Sequence, residues 1–267
     1  MSDADTYEVY AVKYGTLQER TRRDNFIMAD DHDTAMPIDY YVWAIVNKDR
    51  TIVVDTGFDW KEGERRNRKI QRLPREGLAM LGVDSAKVKD VVVTHLHYDH
   101  AGTLDDFPEA RFHIQDKELQ YTTGRHMCAD PFRHAYTADH VTTLIRRLFE
   151  GRVAFHDGDE QIAPGVSVHH IGGHTMGIQS VRVRTKRGWV ILASDACHFF
   201  ENMERAMPFP IVYHVGDMVA GWDKLKRLAE TPKHVVPGHD PLVMQRYPSP
   251  KKDLDGVVVR LDVDPKG

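Results

Sequence analysis

The sequence predicts a layered α/β sandwich, on three observations. Short apolar runs rich in β-branched residues recur at 7–12, 40–46, 51–54, 91–93, 111–114, 166–171, 180–183 and 189–193, the length and composition of strands. Helical spacing of apolar residues separates them at 72–81, 116–121, 140–148 and 216–230, the last through Met218, Trp222, Leu225 and Leu228. Strands and helices interleaved in this order fit layers packed on a common core.

Taken in order, 40–46 and 51–54 flank the polar Asn47-Lys48-Asp49-Arg50 and read as a hairpin. The strand at 51–54 runs into Asp55-Thr56-Gly57, and 91–93 into Thr94-His95. A late strand runs into Val235-Val236-Pro237-Gly238-His239. No Gly/Ser linker, low-complexity tract or short repeat cuts the chain, so residues 1–267 are expected to form one domain with a core over about 7–247.

Composition narrows the function classes. Lys+Arg number 36 against 40 Asp+Glu, a formal charge of -4, without the basic stripe of a nucleic-acid binder. No apolar run approaches the ~18 residues of a membrane span. The start, Met1-Ser2-Asp3-Ala4-Asp5, is acidic where a secretion signal is basic and then apolar. Two cysteines, Cys128 and Cys197, cannot build a disulfide framework. A cytoplasmic globular protein is expected, with neither nucleic acid nor membrane as partner. The 16 histidines point to where its chemistry lies.

The informative segment is Thr94-His95-Leu96-His97-Tyr98-Asp99-His100-Ala101-Gly102, directly after the strand at 91–93. Imidazole nitrogen suits zinc and similar ions, and carboxylate oxygen completes such sites. One short turn cannot aim four ligands at one ion; it can aim His95 and His97 at one metal, and Asp99 and His100 at a neighbour. Further ligands must come from distant loops. Three loops at strand ends offer them: Gly172-Gly173-His174-Thr175, Ser194-Asp195 and Gly238-His239-Asp240.

T-H-x-H-x-D-H-x-G, followed by G-H-T, S-D and G-H-D, resembles the metallo-β-lactamase superfamily, and Val54-Asp55-Thr56-Gly57 resembles its first motif. The resemblance implies a four-layer αββα sandwich of two mixed sheets with the site at one edge. It implies two divalent metal ions, zinc first, with manganese, iron or cobalt as alternatives. One is held by His95, His97 and His174, the other by Asp99, His100 and His239, with Asp195 bridging. Asp55 resembles the carboxylate that orients a ligand histidine from behind. The Asp/His set around the second metal, in place of a cysteine, is similar to the N-acyl homoserine lactonase branch. That branch implies lactone opening by a metal-bridging hydroxide, with Asp99 carrying the proton to the leaving oxygen.

One position departs from that branch. Where such lactonases carry D-x-x-Y, this chain has Asp195-Ala196-Cys197-His198, so His198 stands in the tyrosine's place. It could donate a hydrogen bond, shuttle a proton or be a passive wall, and it joins Asp99 as a candidate catalytic residue. Other cyclic esters, cyclic amides, thioesters and phosphotriesters suit the same site. A non-catalytic or di-iron redox module is the reading from another class.

Substrate selection is expected from two inserts. Residues 25–37 offer Phe26, Met28, His32 and Met36 to a pocket or to the core, and 121–148, with Phe132 and Tyr136, could form a lid. Arg133, Arg146 and Arg147 read as a solvated helix face. Cys197 reads as a buried structural thiol. The apolar stretch 199–209 reads as an exposed pocket wall or as the surface of a homodimer.

Overall fold

The computed structural model describes residues 5–28 and 34–266; His32 and its neighbours in the first insert lie outside them. The chain builds β1 (Glu8–Leu17), β2 (Ile38–Val46), β3 (Thr51–Val54), β4 (Lys69–Ile70), β5 (Asp90–Val92), β6 (Arg111–Gln115) and β7 (Val153–His156). There follow β8 (Glu160–Ala163), β9 (Val166–His170), β10 (Gln179–Thr185), β11 (Gly188–Ser194), β12 (Val235–Pro237) and β13 (Val258–Arg260). One sheet runs β13-β1-β2-β3-β5-β6-β7, with β4 also paired to β1, and the other runs β12-β11-β10-β9-β8. Both are mixed: β3, β5, β6 and β7 are parallel neighbours, as are β11 and β12, and the remaining pairs are antiparallel.

Strand alternation explains the layering. In β2, Tyr41, Trp43 and Ile45 face the second sheet, while Tyr40, Val42 and Ala44 face outward into a separate core. The inter-sheet core meets them with Val166 and Val168 of β9, Val181 and Val183 of β10, and Val190 and Leu192 of β11. Outside the first sheet, Leu78 of helix Pro74–Met80 and Leu144 of helix Ala138–Phe149 close the outer core. Outside the second, Met218, Trp222 and Leu225 of helix Val215–Leu228 cover Ile191, Ala193 and Val235. Strands buried on both faces read as unbroken apolar runs rather than as alternating ones. The result is the expected helix–sheet–sheet–helix sandwich.

The expected hairpin is present, with Val46 opposite Thr51 and the Asn47 amide donating to the Arg50 carbonyl at 2.9 Å. The first sheet also continues past residue 247, because β13 pairs with β1 and buries Val258, Val259 and Leu261. The stretch 199–209 differs from expectation. Phe199, Phe200, Met203 and Phe209 are all buried while Glu204, Arg205 and Ala206 are exposed, so the large apolar side chains of the stretch belong to the interior. No helix among the described residues is long and apolar enough to cross a membrane.

The second insert is tied down by one acid. Glu62, in helix Trp60–Arg65, pairs with Arg65 and Arg66, each at 2.5 Å, and accepts from the Thr137 hydroxyl at 2.6 Å. Arg66 in turn donates to the carbonyls of His134 and Tyr136 at 2.8 and 3.0 Å. Burial alone would raise the Glu62 carboxyl, but the hydrogen bonds from Arg65, Thr137 and Arg66 outweigh it and hold the group down at about 2 against an ordinary 4.5. A depressed carboxyl contributes stability that is present above its unfolded-state value and lost as pH falls towards its folded value. Glu62→Gln is therefore expected to lower the melting temperature at pH 7. That deficit should shrink between pH 4.5 and about 2, read from thermal melts across pH. A deficit independent of pH would contradict the assignment.

Candidate metal centre

The site lies where the strand ends of the two sheets meet. Its floor is the turn after β3. Asp55 takes a left-handed φ of 61°, which aims its carboxylate under the loop that follows β5. Oδ1 accepts from the Thr94 amide at 2.7 Å, and Oδ2 accepts from the Thr94 hydroxyl at 2.8 Å and from His100 Nδ1 at 2.7 Å. Two glycines set the distant loops. A Cβ on Gly173 would stand 2.5 Å from the backbone of Met218, and one on Gly238 would stand 2.7 Å from Asp195 Oδ1. Only glycine brings His174 and His239 this close to the cluster.

The structure gathers all the expected ligands. His95, His97, Asp99, His100, His174, Asp195 and His239 are each buried. Ligand atoms fall within 4.8 Å of one another in four sets: His95/His97/His174, His95/His100/Asp195, Asp99/His100/His239 and His174/Asp195/His198. The Asp195 carboxylate stands between the first and third of these. Its Oδ2 lies 3.3 Å from His174 Nε2 and 4.0 Å from His95 Nε2. Its Oδ1 lies 3.3 Å from His100 Nε2 and 3.0 Å from His239 Nε2. Asp99 Oδ2 lies 3.7 and 3.6 Å from the Nε2 atoms of His100 and His239.

The outer ring nitrogens fix which nitrogen faces inward. His174 Nδ1 donates to the Ile211 carbonyl at 2.7 Å, His239 Nδ1 to the Asp39 carbonyl at 2.8 Å, and His100 Nδ1 to Asp55. With the proton held behind, each Nε2 presents its lone pair to the centre, the arrangement metal-ligating histidines need. Burial, then the neighbouring imidazoles, keep His95 and His97 well below the usual histidine range. Burial would also lower His100 and His239, but the carboxylates of Asp195 and Asp99 outweigh it and raise both. Asp195 is itself held well below the carboxylate range: burial opposes this, and His239, His100 and His198 prevail.

The donor set fits divalent cations on a structural criterion. His95 Nε2, His100 Nε2 and Asp195 Oδ1 are buried without a hydrogen-bond partner. Such atoms are costly unless something satisfies them, and cations between the two ligand sets would satisfy all three.

His198 faces the same centre. Its Nε2 lies 2.9 Å from Asp195 Oδ2, and its ring stacks on Phe209 at 3.5 Å between centroids and 8° between planes. Burial, opposed by Asp195, pushes it down to about 3, so the ring is neutral at pH 7. Cys197 is buried with its thiol donating to the Phe199 carbonyl, and burial raises it well above its usual range, in keeping with a structural thiol. Tyr136 of the second insert packs its ring 4.5 Å from that of His97. Phe26 and Met36 do not line the cavity over the cluster; Phe26 is buried against the guanidiniums of Arg22 and Arg205, and Met28 is exposed. Arg133 and Arg147 sit in ion pairs with Asp130, Asp105 and Glu150 away from the cluster.

The sequence reading missed Glu118. This buried carboxylate accepts from the Leu96 amide at 2.9 Å and the Tyr136 hydroxyl at 3.3 Å through Oε1. Through Oε2 it accepts from the Thr175 hydroxyl at 2.6 Å and the Gly177 amide at 3.2 Å. It thus clamps the loop of His95 and His97 to the loop of His174. The only sequence signal was an acid in the first turn of a helix, which ordinarily complements the helix dipole.

With this geometry in view, the comparisons are specific. The model of the Metallo-beta-lactamase superfamily matches residues 37–239, and the chain belongs to that superfamily. An N-acyl homoserine lactonase, AttM, from Azorhizobium caulinodans is 34% identical over 177 residues. That match covers 64% of this chain and 64% of the relative, so the chain spans under two thirds of the relative's length. The crystal structure of a quorum-quenching N-acyl homoserine lactone lactonase superposes with a TM-score of 0.73 at 21% identity, covering 89% of this chain and 94% of that one. AidC, a dizinc quorum-quenching lactonase with a bound product, gives a TM-score of 0.67 at 14% identity over 90% and 92% of the two chains. At these identities the structures establish the shared fold.

Glu118→Gln turns an amide nitrogen towards donors from which the carboxylate oxygens accept. Each buried group left unpaired costs about 1–3 kcal/mol. The variant is expected to unfold at lower urea concentration by that order, and an unchanged midpoint would contradict the clamp.

Proposed function

We propose that the chain is a single-domain, metal-dependent hydrolase that opens a lactone ring, with two divalent cations, zinc first, held in this cluster. The observation that carries the reading is the Asp195 carboxylate, which stands between the two groups of buried ligands: Oδ2 is 3.3 Å from His174 and 3.2 Å from His239, and Oδ1 is 3.3 Å from His100 and 3.0 Å from His239. His95, His97 and His174 hold one cation; Asp99, His100 and His239 hold the other; Asp195 bridges them. The lactonase name of the 34%-identical relative supports the choice of bond. The exposed free thiol of Cys128 suits the reducing cytoplasm.

When bound, such a pair of cations supplies Lewis acidity for the scissile carbonyl and water of lowered pKa. The residues of the chain do the rest. Asp99, which lines the cavity, carries a proton on its carboxylate from the attacking water to the leaving oxygen. His198 steadies Asp195 through Nε2 and, as a neutral ring stacked on Phe209, forms the cavity wall that meets the substrate. The buried histidines exclude bulk water from the reacting carbonyl.

The test is hydrolysis of a panel of lactones by zinc-loaded protein, with pH-stat detection of the acid released. Chelation is expected to abolish turnover and added zinc, manganese or cobalt to restore it. Activity that survives complete metal removal would overturn the reading. His198→Ala is expected to lower kcat about tenfold or more with metal content unchanged, the scale of one lost hydrogen bond to a charged group, about 1.5–3 kcal/mol. Unchanged kinetics would make His198 a bystander.

A further inference from the structure

The cavity over the cluster has a volume of about 80 Å³, and its wall is unexpectedly cationic: Arg20, Arg66 and Arg68 line it together with Tyr40 and Tyr98. The three arginines differ in what already occupies them. Arg66 is fully engaged by Glu62, by the carbonyls of His134 and Tyr136 and by the Tyr98 ring beneath it, so it is structural. Arg68 donates from Nε to the Tyr98 hydroxyl at 3.1 Å and from Nη1 to its neighbour's carbonyl at 3.5 Å. Arg20 donates from Nη2 to the Asp24 carbonyl, and its Nε is buried without a partner. Among the described residues, neither Arg20 nor Arg68 has a carboxylate within ion-pair distance.

Asp99 and Asp195 line the same cavity, but neither lies within ion-pair distance of Arg20 or Arg68, and two partly buried guanidiniums without a directly paired carboxylate are costly. Burial lowers Arg20, with Tyr40, Asp24 and Tyr98 opposing and Arg68 adding to the lowering, whereas for Arg68 burial is outweighed by the Tyr98 and Tyr40 hydroxyls and Asp99, which raise the group. A guanidinium is a planar fork matched to a carboxylate, and it is seldom left desolvated and unpaired. The cavity is also far smaller than the ~300–1,000 Å³ of sites for drug-sized ligands.

We infer that the substrate is a compact lactone bearing a carboxylate beside the scissile ester, with Arg68 and Arg20 pairing that carboxylate at the mouth of the cavity. This rests on the lactonase reading and narrows its substrate class. In the reaction, water adds across the acyl–oxygen bond: its oxygen bonds to the carbonyl carbon, the ring C–O bond breaks, and the leaving oxygen takes a proton. The product is a hydroxy-dicarboxylate.

The test uses zinc-loaded protein with γ-butyrolactone and with its ring-carboxylated counterpart, 5-oxotetrahydrofuran-2-carboxylate. The wild-type kcat/KM is expected to favour the acid lactone by about tenfold or more, the scale of one charge-assisted contact. In Arg68→Gln and Arg20→Gln that ratio should collapse, chiefly through KM, and Arg68→Lys should recover part of it. Hydrolysis of both lactones with a ratio near one, unmoved by either substitution, would overturn the inference and leave the lactonase reading standing. If neither lactone is hydrolysed, the lactonase reading fails, and calorimetry with 2-hydroxyglutarate against 4-hydroxybutanoate decides the inference. Binding of the dicarboxylate at least tenfold tighter, lost in Arg68→Gln, supports it; equal binding overturns it.

Discussion

Everything at the site hangs from the buried carboxylate of Asp55. Parallel pairing sets Val54 beside Val92, and the chain after β3 then turns with Asp55 in the left-handed region, under the loop that leaves β5. From there one side chain receives an amide, a hydroxyl and an imidazole, and its Oδ2 also approaches the Ser194 hydroxyl from the second sheet at 3.4 Å. Burial raises this carboxyl above its ordinary range, with His100 and the Thr94 amide and hydroxyl opposing in part. Lose that acid and the Thr94 loop, His100 and the Ser194–Asp195 turn lose their common anchor.

Two further buried acids extend the same logic. Glu118 joins the loop of His95 and His97 to that of His174 through four donors, and Asp240 receives the amides of Phe200 and Leu242 beside His239. Burial pushes the Asp240 carboxyl up to about 6, with the amides of Leu242 and Phe200 opposing. Backbone amides of the His95, His174 and His239 loops are thus tied to carboxylates, and His100, His174 and His239 are aimed by their outer nitrogens at Asp55 or at carbonyls. This is preorganisation by hydrogen bonds that are satisfied before any cation or substrate arrives.

The ligand cluster was legible in the sequence because its first four members sit in six residues and the others directly follow apolar strands. Strands buried on both faces, such as 51–54 and 189–193, were legible as unbroken apolar runs. The strands at Val153–His156 and Glu160–Ala163 were not, because they are only partly buried and carry His, Glu and Gln among their apolar residues. The strand at Val258–Arg260 was missed although Val257-Val258-Val259 is as apolar and β-branched as the run at 91–93. The arginines were illegible for a different reason. Arg20, Arg66 and Arg68 come from loops or helix ends, and only tertiary packing decides that they turn towards the cavity. Arg133, Arg146 and Arg147, read as a solvated face, carried more cationic signal in sequence than the arginines that reach the site. The run 199–209 read as exposed because its acids and arginine obscured how Phe199 and Phe209 fold inward.

The central claim is that two ligand groups share Asp195 and hold two cations. The most direct measurement is zinc titration of the apoprotein by calorimetry, with metal content counted in wild type and in Asp195→Ala. Two equivalents in wild type, with loss of the second site and weakening of the first in the variant, is the predicted result. A single equivalent in wild type, or two equivalents undisturbed by removal of the Asp195 carboxylate, would contradict it.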